Sequence, residues 1–158
     1  MSFTPALTAI GELQFALHPA PGLDGQLTAD VATLKQAGVG VVVTTLTPAE
    51  LTEFGLAELG QTVQAADIVW LHLPVQDKSL PAAEFEQGWA DALEQLTESA
   101  AAGERISVHC RGGTGRTGLV AAKIALALGA DFDATIDAIR VARPGALQAE
   151  AQLDYLRG

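Results

Sequence analysis

The stretch "HCRGGTGRTG", residues 109–118, matches two phosphate-binding patterns at once. Read from Gly113 it is G-x-G-x-x-G (Gly113, Gly115, Gly118), the string found in dinucleotide-binding turns. Read from Cys110 it is a cysteine, five residues and then Arg116, a nucleophile followed by a guanidinium fork. Both patterns need a loop between a strand and a helix, and the flanks supply one. "RISVH" (105–109) reads as a strand, and 117–128 reads as an apolar helix stopped by Gly129.

Strands and helices alternate outward from this point. "ELQFAL" (12–17) reads as a first strand, and "VGVVVTT" (39–45) and "IVWLHL" (68–73) as buried ones. Leu27, Val31 and Leu34 have helical spacing ahead of Gly38. A short helix is expected after Thr47-Pro48, and another across 56–66. Pro81 opens a long helix that carries Phe85, Trp89, Leu93 and Leu96 on one face and stops at Gly103. Phe132, Ile136 and Ile139 mark a further helix, and a last one covers about 148–157. The expected fold is α/β, a mostly parallel central sheet flanked by helices, with ligands beyond the C-terminal strand ends.

The 158 residues fit one domain, are 49% hydrophobic and 18% charged, and so can bury a core. One cysteine excludes an internal disulfide framework and multi-thiolate metal clusters. The opening "MSFTPALTAIGELQF" lacks a basic leader before a continuous apolar run, and the expectation is a cytoplasmic chain. The net charge of -10 argues against nucleic-acid and anionic-membrane partners. Yet residues 105–130 hold Arg105, Arg111, Arg116 and Lys123 and no carboxylate, a local setting for a small anion.

The dinucleotide pattern requires a second strand that carries an acidic residue to the ribose, about twenty positions on. Asp131 and Asp133 stand near that distance, but helices follow Gly118 and no strand does. The cysteine pattern accounts for more positions. Backbone N–H groups of Gly112, Gly113, Thr114 and Gly115 at a helix start form an anion nest. Arg116 offers a bidentate fork, and Cys110 in that positive field becomes a thiolate near neutral pH. Thr117 can donate its hydroxyl to the sulfur, and His109 can hold the loop. Alone, each has a plainer reading, Cys110 as a small buried apolar group and His109 as a partner for a backbone carbonyl. Together at fixed spacing they favour chemistry on a phosphate group.

His109, Cys110, Arg116 and Thr117 resemble the signature of the cysteine-based protein tyrosine and dual-specificity phosphatases. "ALHPAPG", "TLKQAGV", "TPAEL" and "LHLPVQD" look most like the kinase-associated branch of that superfamily. The resemblance implies a phosphomonoester hydrolase acting on phosphoproteins through a phosphocysteine intermediate, with no cofactor and no metal. It also implies an acid from a mobile loop. In "PVQDKSLP" (74–81) that acid is Asp77, with Glu84 a weaker candidate and helix capping the plainer role for Asp77. The tail "RPGALQAEAQLDYL" (143–156) resembles the segment whose glutamine positions water. It assigns this role to Gln148, with Gln152 one turn later in support and a helix N-cap or solvated residue the plainer reading of Gln148. Arg111 adds positive field at the pocket mouth, and Arg140 and Arg143 either tie the last helices to the loop or are solvated. Two alternatives remain open at this stage, a small-molecule phosphatase of the same fold and a catalytically silent phosphate-binding module.

Overall fold

The computed structural model describes residues 3–158. Five strands form one sheet, β1 (Ala6–Ile10), β2 (Leu13–His18), β3 (Val39–Thr44), β4 (Val69–His72) and β5 (Arg105–His109), in the order β1-β2-β5-β3-β4. β2, β5, β3 and β4 are parallel neighbours, and β1 joins the edge antiparallel to β2. The sheet is therefore mixed and mostly parallel.

Alternation of side chains along the strands divides the core into two layers. Phe15, Leu17, Val41, Val43, Ile106 and Val108 face one layer. It is covered by α4 (Ala83–Ala101), α5 (Gly115–Ala127) and α6 (Phe132–Ala142). Ala16, Val39 and Val42 face the other, under α1 (Leu27–Gln36), α2 (Pro48–Glu53) and α3 (Leu59–Ala65). Val39 and Val42 reach the same layer because a register shift falls between Val39 and Val41. The last helix, α7 (Glu150–Arg157), contributes only partly buried side chains.

Three details differ from the sequence reading. β1 was not expected, because the apolar pattern of Ala6–Ile10 runs against its burial, with Leu7 exposed and Thr8 half-buried. β4 is an edge strand rather than a fully buried one, with Val69 exposed and Trp70 and Leu71 half-buried. α5 begins at Gly115, so Arg116 sits in its first turn.

The topology explains where a site can form. His18, His109, Thr44 and His72 occupy one row across β2, β5, β3 and β4, at the C-terminal ends of all four. The segments leaving those ends converge on the turn that follows β5, the innermost strand of the sheet. No helix among the described residues is long and apolar enough to cross a membrane.

Candidate active site

β5 ends at His109 and α5 begins at Gly115, so Cys110–Thr114 forms the turn between them. Gly113 is the position that requires glycine. Its φ is +82, and a Cβ there would lie 2.5 Å from the His18 carbonyl carbon and the Pro19 nitrogen. The turn is thus packed directly on the end of β2 and held there by Ala20 N–H donating to the Arg111 carbonyl at 2.9 Å. Gly118, the last glycine of the G-x-G-x-x-G string, serves packing. Its missing Cβ lets α5 approach Ala146, where the added atom would come to 2.8 Å.

Cys110 is buried, and its Sγ accepts hydrogen bonds from Gly113 N–H (3.2 Å) and the Thr117 hydroxyl (3.1 Å). Burial by itself would raise its pKa. The Thr117 hydroxyl and the backbone N–H groups of Thr117, Gly113 and Thr114 outweigh that penalty, and the thiol is held below its ordinary value. The sulfur therefore behaves as an acceptor, the role of a thiolate.

His109 fixes the turn from behind. Its Nδ1–H donates to the Cys110 carbonyl at 2.9 Å, so Nε2 accepts from the Thr44 hydroxyl at 2.7 Å. Thr44 Oγ1 in turn accepts from Trp70 Nε1–H at 2.8 Å. Burial pushes the His109 pKa down to about 4, and the ring stays neutral in this role. His18 stacks on it at 5.5 Å between centroids and bonds to the Pro19 carbonyl and the Ser107 hydroxyl. Burial and the neighbouring His109 lower the His18 pKa to about 3.

Arg116 is held by a residue that the sequence reading missed. Glu50 accepts from Arg116 Nη1 at 2.7 Å and from Nη2 at 3.0 Å, and the Val75 carbonyl accepts a second Nη1 hydrogen at 2.9 Å. Three of the five guanidinium hydrogens are thereby used. The edge formed by Nε and the remaining Nη2 hydrogen is left for two oxygens of a phosphate. Burial would raise the Glu50 pKa, but hydrogen bonds from Arg116 and Thr47 reverse this and hold it below the carboxylate range. Thr47 and Glu50 also form a capping box at the start of α2, with bonds of 2.9 and 3.2 Å. The "TPAE" string announces that cap; its partnership with Arg116, 66 residues away, has no local signal.

Asp77 stands across the turn with Oδ1 3.7 Å from Arg116 Nη2, its side chain 65% exposed. It borders two clefts that meet beside the turn. One, of about 690 Å³, is walled by Pro19, Leu23, Glu53 and Phe54 and floored by Cys110 and Gly112. The other, of about 340 Å³, is lined by Lys78, Leu80, Ala149 and Gln152, and both include Gly115 and Arg116. Glu84 lies in a separate hollow behind the 74–81 loop. Thr114 also lines the larger cleft, as does Arg111, whose guanidinium lies 4.8 Å over the Phe54 ring.

The two glutamines are placed unlike the sequence expectation. Gln148 is exposed, donates to the Ala146 carbonyl at 3.1 Å and lines neither cleft, whereas Gln152 does. The cause is local. Leu147 is buried with φ +57, and this left-handed residue turns the chain before α7 so that Gln148 points away. Arg140 donates to the Leu147 carbonyl and Arg143 to the Gly112 carbonyl, tying α6 to the tail and to the turn. Among the described residues no cluster of three or more His, Cys, Asp or Glu could hold a metal.

Residues 20–130 match the model of a family described as polymorphic toxin system, DSP-PTPase phosphatase. Cyclin-dependent kinase inhibitor 3 of Rattus norvegicus is 32% identical over 130 residues, and that of Homo sapiens 30%. The matched region covers 80% of this chain and 60% of each relative, so the chain spans less than two thirds of their length. A crystal structure of kinase-associated phosphatase, carrying serine in place of its catalytic-site cysteine, superposes with a TM-score of 0.82. It is 25% identical, and the superposition covers 99% of this chain and 93% of that one.

Proposed function

The chain belongs to the DSP-PTPase phosphatase family, and from that premise we propose that it hydrolyses phosphomonoesters on proteins, taking phosphotyrosine and phosphoserine or phosphothreonine. The observation that carries this reading is the Cys110 sulfur. It is held as an acceptor between Gly113 N–H and the Thr117 hydroxyl at the N-terminus of α5. A binding module needs neither that nucleophile nor an acid beside it.

The residues divide the reaction between them. A phosphate seats on the backbone N–H groups of the 110–115 turn and on the free edge of Arg116, which stabilise charge on its non-bridging oxygens. Cys110 attacks phosphorus in line. A P–S bond forms, the P–O bond to the leaving group breaks, and Asp77 gives its proton to the departing oxygen. Water then attacks the phosphocysteine while Asp77 takes up the proton. The thiolate leaves, eased by the Thr117 hydroxyl, and inorganic phosphate is released.

Gln152, at the wall of the smaller cleft beside Asp77 and Arg116, holds the attacking water. Gln148 has no such position. The volume of the larger cleft, about 690 Å³ and open beside Leu23 and Phe54, suits a phosphorylated side chain borne on a polypeptide. Because the chemistry needs Cys110 reduced, we place the protein in the cytoplasm.

The direct test is hydrolysis of p-nitrophenyl phosphate by the reduced protein and by Cys110→Ser. Turnover by the native chain, abolished in the variant while phosphate or vanadate still binds, is the expected result. Phosphate binding without turnover in the native protein would leave the silent module or an enzyme too selective for this reporter, and a panel of phosphopeptides separates the two.

A further inference from the structure

Three consecutive carbonyls of the turn after β5 are each held from outside. The Cys110 carbonyl accepts from His109 Nδ1–H, the Arg111 carbonyl from Ala20 N–H and the Gly112 carbonyl from Arg143 Nη2. Because each peptide is planar and trans, a held carbonyl sends the N–H of the same peptide the opposite way. The grip on the Cys110 carbonyl thus sets the direction of Arg111 N–H, which has no backbone partner among the described residues. Two of the three holds come from groups that can only donate. The third comes from a neutral imidazole, which donates from Nδ1 only while its proton sits there.

What keeps the proton on Nδ1 lies on the far side of the ring, in a chain of bonds that ends at the sheet edge. Thr44 Oγ1 lies 2.7 Å from His109 Nε2 and 2.8 Å from Trp70 Nε1, its only hydrogen-bond partners among the described residues. Thr44 and His109 are fully buried, so neither can turn to water instead. An indole N–H only donates, and a carbonyl only accepts. Between those fixed ends one arrangement satisfies every group: Trp70 donates to Thr44, Thr44 to Nε2 and Nδ1–H to the Cys110 carbonyl. The other tautomer orphans the Thr44 hydrogen and sets a bare Nδ1 against the carbonyl. The indole biases the choice, because an oxygen that already accepts is a stronger donor and a weaker acceptor. The indole is itself wedged in place. A Cβ at Gly60 of α3 would come to 2.6 Å from the Trp70 ring, and His72 stacks on it at 5.1 Å between centroids.

We propose that Trp70, which lies outside both clefts, is a positioning residue of the site. Through Thr44 it fixes the tautomer of His109, and so the orientation of the Cys110–Arg111 peptide at the phosphate seat. The catalytic consequence rests on the hydrolase reading; the tautomer does not.

The experiment reads the two ring nitrogens of His109 by long-range heteronuclear NMR correlation and, on the same proteins, kcat/KM for p-nitrophenyl phosphate. The chain has three histidines, and a His109→Gln spectrum assigns the signals. Trp70→Phe keeps an aromatic ring and deletes the N–H. It should move the Nε2 signal toward its protonated form and lower kcat/KM by about fivefold, roughly one neutral hydrogen bond. Thr44→Val, close to threonine in shape, should do both at least as strongly, and Thr44→Ser, which keeps the hydroxyl, should do neither. In the Thr44→Val background Trp70→Phe should add nothing to either readout, since the indole acts through that hydroxyl.

A native His109 with its proton on Nε2 overturns the inference. So does an unshifted Nε2 signal in Trp70→Phe, even with a lower kcat/KM, because Trp70 then serves packing alone. Effects of Trp70→Phe and Thr44→Val that add in full do the same. If the native protein hydrolyses neither p-nitrophenyl phosphate nor any phosphopeptide, the hydrolase reading falls and takes the catalytic consequence with it. The His109 spectra still decide the relay in that case.

Discussion

Arg116 and Glu50 are joined by two hydrogen bonds, at 2.7 and 3.0 Å, that align the end of the guanidinium with a carboxylate on another helix. Arg116 is buried in the first turn of α5, and Glu50 in the first turn of α2 is largely shielded. The pair fixes which guanidinium edge is presented to a phosphate. It also neutralises a buried charge that would be costly without a partner.

Replacing Glu50 with Gln separates its two duties. Glutamine still serves in a capping box, so α2 keeps its start. The charged, bidentate grip on Arg116 is lost, and kcat/KM for p-nitrophenyl phosphate should fall by about 10- to 100-fold through misorientation of the fork. The thermal midpoint should drop less in Glu50→Gln than in Glu50→Ala, which loses the cap as well. Unchanged kcat/KM in Glu50→Gln would remove the orienting role.

Thr117 is fully buried, and its hydroxyl reaches Cys110 Sγ at 3.1 Å. Thr117→Val keeps the shape and deletes the donor. The Cys110 pKa should rise, because hydrogen bonding to the sulfur is what offsets burial. The rate of alkylation by iodoacetamide, followed against pH, should shift to higher pH. Turnover should slow by about tenfold, the loss of roughly one charge-assisted hydrogen bond. An alkylation profile that overlays the native one would show that the backbone N–H groups suffice.

In the proposed mechanism Asp77 hands a proton to the leaving oxygen while the Cys110 thiolate attacks. Asp77→Asn keeps the shape of the side chain and deletes the acid, so turnover should fall. The loss should be about 100-fold for a phosphotyrosine peptide and smaller for p-nitrophenyl phosphate, whose phenolate leaves readily without a proton. Equal losses on both substrates would point to a binding role for Asp77.

His18 and His109 are neutral in the folded protein, with pKa values lowered to about 3 and about 4. The unfolded chain binds protons at both as the pH falls below about 6.5, where the folded protein does not. Stability is therefore present above that pH and lost on acidification, with each histidine contributing up to about 1.4 kcal/mol per pH unit. Urea unfolding should show a loss of about 2 kcal/mol between pH 6 and pH 5, with roughly half that slope in His18→Gln. A pH-independent midpoint over that interval would mean that both rings are charged when folded, and half the expected loss that one of them is.

Much of the chemistry is local in the chain. The proposed nucleophile, anion nest, fork and hydroxyl all fall within eight residues, from Cys110 to Thr117, and are brought together by one strand–turn–helix connection. Such a cluster needs no distant partner to be assembled, so its pattern was legible. The alternation of β-branched runs with helical spacing likewise marked the parallel sheet. β1 escaped because it is an edge strand whose polar Thr8 is half-buried while its apolar Leu7 is exposed. Its place comes from pairing Ala6–Ile10 with Leu13–Leu17.

What remained hidden depends on side chains meeting across the sheet. Glu50 reads as a helix cap, and nothing near it announces Arg116. The choice between Gln148 and Gln152 rests on one left-handed residue, Leu147, that turns α7. The stacking of His18 on His109 follows from their facing positions in the register of β2 and β5. The sequence by itself determined the reactive loop and the layered α/β class, because both are written in short-range spacing. Only the tertiary structure decided which residues orient that loop, because those contacts join segments whose separation along the chain carries no periodic signal.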